Sequence, residues 1–109
     1  MNILADKIEE IVLVIDEICT LLIMNDTIEA NRKMPEFSAL LMETFPKIVE
    51  SYLEPEFADV REDMNYWTQQ LERMIQVIQG KDRFLLIDVL HYETRENLLL
   101  YKKMIAGRN

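Results

Sequence analysis

The stretch FADVREDMNYWTQQLERMIQVIQG, residues 57–80, decides the fold class. Phe57, Val60, Met64, Trp67, Leu71, Met74 and Ile78 recur at alternating spacings of three and four. Such residues share one side of an α-helix, which turns once every 3.6 residues. Almost everything between them is polar. The pattern is a narrow apolar seam of the kind that bundled helices press against one another. Gly80 is placed to stop the helix, since glycine accepts the left-handed backbone found at helix ends.

The neighbouring segments repeat the theme. Upstream, Leu53-Glu54-Pro55-Glu56 is a short connection. Before it, Phe37, Leu41, Phe45, Ile48 and Tyr52 form a stripe, and Met34, Ala30 and Thr27 stay in phase with it. This predicts one helix over residues 27–53, bent or interrupted near Pro35 and Pro46, because proline removes a backbone donor and crowds a carbonyl one turn earlier. Asn25-Asp26-Thr27 supplies a turn and a helix start. In the first segment, residues 3–24, Leu4, Ile8, Ile11, Ile15, Ile18 and Leu22 share a face, with Asp6, Glu9, Asp16, Glu17 and Thr20 opposite. Downstream, Asp82 is placed to cap a last helix over residues 83–106, which Gly107 ends. Helices of about 22 to 26 residues span roughly 33 to 39 Å. Connections this short force neighbours to run antiparallel. The expected fold is all-α: a single domain, residues 1–109, built as an antiparallel up-down-up-down four-helix bundle.

Composition narrows the function classes. Half of the 109 residues are apolar, and there are only two glycines and three prolines. A formal charge of −8 argues against nucleic-acid binding through phosphates and against attraction to an anionic membrane. The single cysteine, Cys19, has no internal partner for a disulfide, which fits a reducing, cytoplasmic setting. The start lacks the basic region of a signal peptide. The longest apolar run, residues 11–15, is too short to span a bilayer.

Residues 81–93 carry a resemblance. Lys81, Asp82, Leu85, Leu86, Asp88, Leu90, Tyr92 and Glu93 match the pattern Lys-Asp-Tyr-x-Leu-Leu-Ala-Asp-x-Leu-Glu-Tyr-Glu, with departures at Arg83, Ile87 and His91. The stretch resembles small helical proteins of unknown function, mainly from Gram-positive bacteria. That resemblance implies a helical fold and no reaction. The overall plan also resembles flagellar export chaperones, acidic four-helix bundles of similar length with a Lys-Asp turn between their last long helices. This second likeness implies an alternative role in flagellar or secretion export.

Few residues offer chemistry. Asp88, His91, Tyr92 and Arg95 fall at spacings that bring them together on a helix, where His91 would serve as a general base oriented by Asp88. A small enzyme or ligand-binding bundle using Asp88, His91 and Tyr92 is therefore a rival reading, set against a solvated face with weak charge pairs. No nucleophile motif accompanies the histidine, and a non-enzymatic role is expected. One histidine and one cysteine exclude the di-iron and structural zinc ligand sets. No calcium loop or phosphate-binding glycine loop is present, so no metal or cofactor is expected. Cys19 is expected as a buried thiol, and Trp67, Met64 and Met74 as core.

The last helix carries two apolar stripes. Leu86, Ile87, Leu90, Leu98, Tyr101 and Ile105 form one. Leu85, Val89, Tyr92 and Leu99 form another, about 120° or more around the helix. One broad face suffices for a helix at the corner of a lone bundle. The second stripe, flanked by Glu96 and Lys103, either widens contact with the neighbouring helices of the bundle or marks an interface with another chain; it is the candidate interface. The expected function is protein–protein interaction, as an adaptor, chaperone or self-associating module, with a homodimer as the expected assembly.

Overall fold

Every regular element in the computed structural model is helical among residues 3–106, the residues it describes. The long elements are α1 (Ile3–Ile23), α2 (Thr27–Ser51) and α3 (Asp63–Gly80). A final helical stretch consists of α4 (Arg83–Ile87), a segment of π-type turns (Asp88–Thr94) and α5 (Arg95–Ala106). A 3-10 segment, Pro55–Val60, joins α2 to α3.

The helix starts follow side-chain capping. Asp26 accepts from the Glu29 N–H at 3.2 Å, and Asp82 from the Leu85 N–H at 3.1 Å. Each satisfies a donor that the first turn leaves open. Asn25 ends α1 with φ 62°, and the Asp26 N–H reaches back to the Leu21 carbonyl at 2.8 Å. α2 runs unbroken through Pro35 and Pro46. Both prolines, and Asn31 and Met42 whose carbonyls they leave unpaired, lie on the exposed side. Water can replace the lost bonds there.

α1 packs along α2 on one side and against α4, the π-type segment and α5 on the other. α3 packs against α4 and the π-type segment, and α2 meets α3 where Phe45 touches Trp67. One apolar core unites them. It takes Ile8, Ile11, Ile15 and Ile18 from α1 and Phe37, Leu41, Phe45 and Ile48 from α2. Trp67 and Met74 close one flank, and Leu90, Leu98, Tyr101 and Ile105 the other. The principal extents are 45 × 27 × 20 Å. Charge pairs tie the outer edges: Lys33 with Glu17 at 2.7 Å, Arg73 with Glu93 at 2.9 Å, Arg95 with Asp16 at 2.8 Å, and Lys102 with Glu9. None of the helices described is long and apolar enough to cross a membrane.

The structure corrects four expectations. α3 starts at Asp63, not near Phe57. The Arg61 guanidinium instead bonds the carbonyls of Tyr52, Leu53 and Glu54, in the connection that follows α2. Along α3 the buried centre is Trp67, Gln70, Met74 and Val77, while Leu71 and Ile78 lie half-buried at its edge. The left-handed residue after α3 is Lys81, φ 61°, rather than Gly80. The last helical stretch carries wide turns at Asp88–Thr94 instead of continuing as a uniform α-helix. The expected stop at Gly107 lies outside the described residues.

Candidate functional site

Two hollows flank α5, and the aromatic residues around the first set its character. Tyr52 follows the last turn of α2, Trp67 sits early in α3, and Tyr101 faces inward from α5. Their rings meet edge-on or tilted: Tyr52–Tyr101 at 5.7 Å and Trp67–Tyr101 at 5.8 Å between centroids, with Phe45 against Trp67 at 5.6 Å. Buried phenol and indole groups need partners. The Trp67 indole N–H donates to the Tyr52 hydroxyl at 2.9 Å. Ser51 donates to the Ile48 carbonyl at 2.6 Å, and its oxygen also meets the Tyr101 hydroxyl. Ser51 has one proton, so Tyr101 is the donor of that second bond. Burial, above all, pushes the Tyr101 phenol up, and the nearby Glu54 charge adds to it. Over these rings opens a cleft of about 340 Å³, walled by Tyr66, Asp63, Asn97, Leu100 and Met104.

A polar row, exposed at Tyr66 and buried at Gln70 and Thr94, connects this cleft to the π-type segment. Asn97 donates to Tyr66 at 3.0 Å and to the Gln70 side-chain oxygen at 3.1 Å. Gln70 donates to Thr94 at 3.5 Å, and Thr94 donates to the Met74 sulfur at 3.4 Å. The wide turns make this possible. They slip the helix register so that Val89 and Leu90 both point inward and Thr94 follows them, fully buried.

That slip also redistributes the residues singled out from sequence. Val89 is the correction: it is fully buried within the chain and cannot belong to an exposed stripe. Tyr92 is 68% exposed and Leu85 is 39% exposed. Glu96 and Lys103 are exposed, and Leu99 is half-buried. Glu96, Leu99 and Lys103 meet in the second hollow with Leu100, Lys102 and Ala106, an open groove of about 470 Å³ along α5. Leu100, 64% exposed, is the ridge between groove and cleft.

Compared with known proteins, the chain matches no family model, no curated protein and no solved structure.

The polar set Asp88, His91, Tyr92 and Arg95 does not assemble as a unit. The π-type turn holds more residues than an α turn, so spacings of three and four no longer align. His91 stacks edge-on against Tyr92 at 4.7 Å, while Arg95 turns to Asp16 and to Glu96 at 3.2 Å. Among the described residues, Asp88 and His91 share no hydrogen bond, and none of the His, Cys, Asp and Glu groupings could hold a metal ion. Cys19 is buried on α1, and its thiol is pushed up to about 11, first by burial, then by Asp16, with Arg95 opposing.

Sequence reasoning missed Gln70 and Asn97. Their signal was present for Gln70, which stands three after Trp67 and four before Met74, a core spacing occupied by an amide.

Proposed function

We propose that the chain is a protein–protein interaction module that self-associates through the outer face of α5. The observation carrying this is the self-complementarity of the α5 groove. Place a two-fold axis midway between Leu99 and Leu100 and run the two copies of α5 antiparallel. Leu99 of one copy then faces Leu100 of the other, and Glu96 faces Lys103. A two-fold interface uses the same patch twice, so it needs this kind of internal match. Covering Leu100 from its 64% exposure recovers about 1 to 2 kcal/mol per copy. The Glu96–Lys103 pairs at the rim add little energy and set the register.

In this reading α4, the π-type segment and α5 act as one fourth helix. The elements then form an antiparallel up-down-up-down bundle that presents one edge to its copy, in the reducing cytoplasm that suits Cys19. Sedimentation equilibrium at micromolar concentration tests the proposal. The expected mass is twice the 13.0 kDa chain mass, falling to one chain in Leu99→Glu/Leu100→Glu with helicity retained. A wild-type mass of one chain, unchanged by the double substitution, would refute it.

A further inference from the structure

α2 and α3 do not pack along each other; they meet where Phe45 touches Trp67. The side of the bundle between them is open, and a groove of about 370 Å³ runs there. Met42, Pro46 and Val49 form its α2 bank, Leu71 its α3 bank, and buried Phe45 its floor. Ile75, one turn beyond Leu71, continues the α3 bank. Met42 is 60% exposed and Ile75 44%, so apolar surface on both banks meets water.

The polar groups of the groove are all of one kind. Pro46 leaves the Met42 carbonyl without its helical donor. The Glu50 carboxylate lines the α2 bank, and Glu72, one turn beyond Thr68, stands exposed on the α3 side. Among the described residues neither carboxylate is in an ion pair. The Thr68 hydroxyl gives its one proton to the Met64 carbonyl at 3.2 Å. Cations are turned away. Lys47 lies two residues from Val49, and Arg73 two from Leu71, which sets each about 160° around its helix from the groove. Arg73 is held by Glu93 at 2.9 Å, and Arg61 is spent on the carbonyls of Tyr52, Leu53 and Glu54. The groove thus offers apolar surface and unmet acceptors, with no free donor among its lining side chains.

We propose that this groove takes an amphipathic helix of a partner protein, apolar along one face and flanked by lysine or arginine. A helix laid between α2 and α3 buries both banks at once, as the ridges of bundled helices do. Glu50 and Glu72 stand on opposite banks, so each flank of the guest meets a carboxylate, and the Met42 carbonyl accepts from a cation beside it. An acidic helix of the same shape sets carboxylate against carboxylate. The site is separate from the α5 face and does not rest on pairing there.

The probe is a synthetic helix matched to the 18 residues of α3, with leucine at spacings of three and four and lysine on both flanks. One control carries glutamate in place of lysine, and another keeps the composition with the leucine stripe scrambled. Anisotropy of the labelled peptides follows binding. The expected result is saturable binding of the basic helix below about 100 µM, about tenfold or more tighter than either control. Met42→Glu/Ile75→Glu, both at exposed positions, should weaken it by about tenfold or more with the circular dichroism unchanged. Glu50→Lys/Glu72→Lys should turn the preference to the acidic helix. Leu99→Glu/Leu100→Glu should bind as the wild type does; loss of binding there would move the guest to α5 and overturn the proposal. So would equal binding of the three peptides, no saturation, full affinity in Met42→Glu/Ile75→Glu, or an unchanged preference in Glu50→Lys/Glu72→Lys. Assembly beyond the dimer mass without peptide, abolished by Met42→Glu/Ile75→Glu, would seat a second copy in the groove and overturn it as well.

Discussion

Thr44 and Thr94 are both fully buried, yet only one has a hydrogen-bond partner. Among the described residues the Thr44 hydroxyl on α2 has none. The Thr94 hydroxyl accepts from Gln70 and donates to Met74. Valine has the same shape with a methyl in place of the hydroxyl, and both residues are β-branched, so helix propensity hardly changes. Thr44→Val removes an uncompensated buried hydroxyl, whose desolvation costs about 1 to 2 kcal/mol, and should raise stability by about that amount. Thr94→Val removes a paired hydroxyl and strands the Gln70 amide, itself 5% exposed, and should lower stability by about 1 to 2 kcal/mol. For a domain near this size each kcal/mol moves the midpoint by about 4 to 8 °C. Calorimetry and urea unfolding of the two variants, in matched buffer, give the comparison. A loss of stability in Thr44→Val, or changes of equal sign in both, would show that the Thr44 hydroxyl is satisfied in solution and refute the reasoning.

Two further outcomes follow from the backbone and from Cys19. Lys81 holds a left-handed conformation while Gly80, whose added Cβ would meet nothing, spends its freedom inside the helix; Lys81→Gly and Gly80→Ala should each stabilise by about 0.5 to 1 kcal/mol in urea unfolding, and a loss in either would contradict the reading of that turn. With its thiol raised from 9.0 to about 11, Cys19 should react with a disulfide reagent at pH 8 about a hundredfold more slowly in the folded chain than in urea. The protonated thiol is the form the fold favours, so its contribution is intact below about pH 9 and fades as the pH rises towards 11; a stability gap between the wild type and Cys19→Ala that stays constant over that window would count against it.

The parts of the fold legible in the sequence are those set by local rules. The stripe of α1, the helix start at Asn25-Asp26-Thr27, the cap at Asp82 and the burial of Cys19 and Trp67 all follow from spacing and side-chain type, and each stands as read. What escaped depends on contacts between distant residues. No local signal says that Arg61 will bond the carbonyls of residues 52–54 or that α3 will start only at Asp63. The wide turns at Asp88–Thr94 have no compositional mark either; they accompany contacts to distant residues, Thr94 to Gln70 in the core and Arg95 to Asp16 at its edge. A projection at 3.6 residues per turn carries across that slip as if it were absent, which put Val89 on the outside. Of the candidate interface, Glu96, Leu99 and Lys103 lie beyond the slip, on one regular helix, and they are the three that remain together.

The placement of α1 has a consequence for synthesis on the ribosome. Its Ile8, Ile11 and Ile15 are covered partly by α2, the next helix made, and partly by α5, the last. A nascent chain can form the first hairpin early, yet one flank of that hairpin stays bare until the final helix emerges. During that interval the apolar flank is open to holdase chaperones and to neighbouring nascent chains alike. The acids that border it, Glu9 and Asp16, wait for Lys102 and Arg95, so its charge pairs too close only when the final helix arrives.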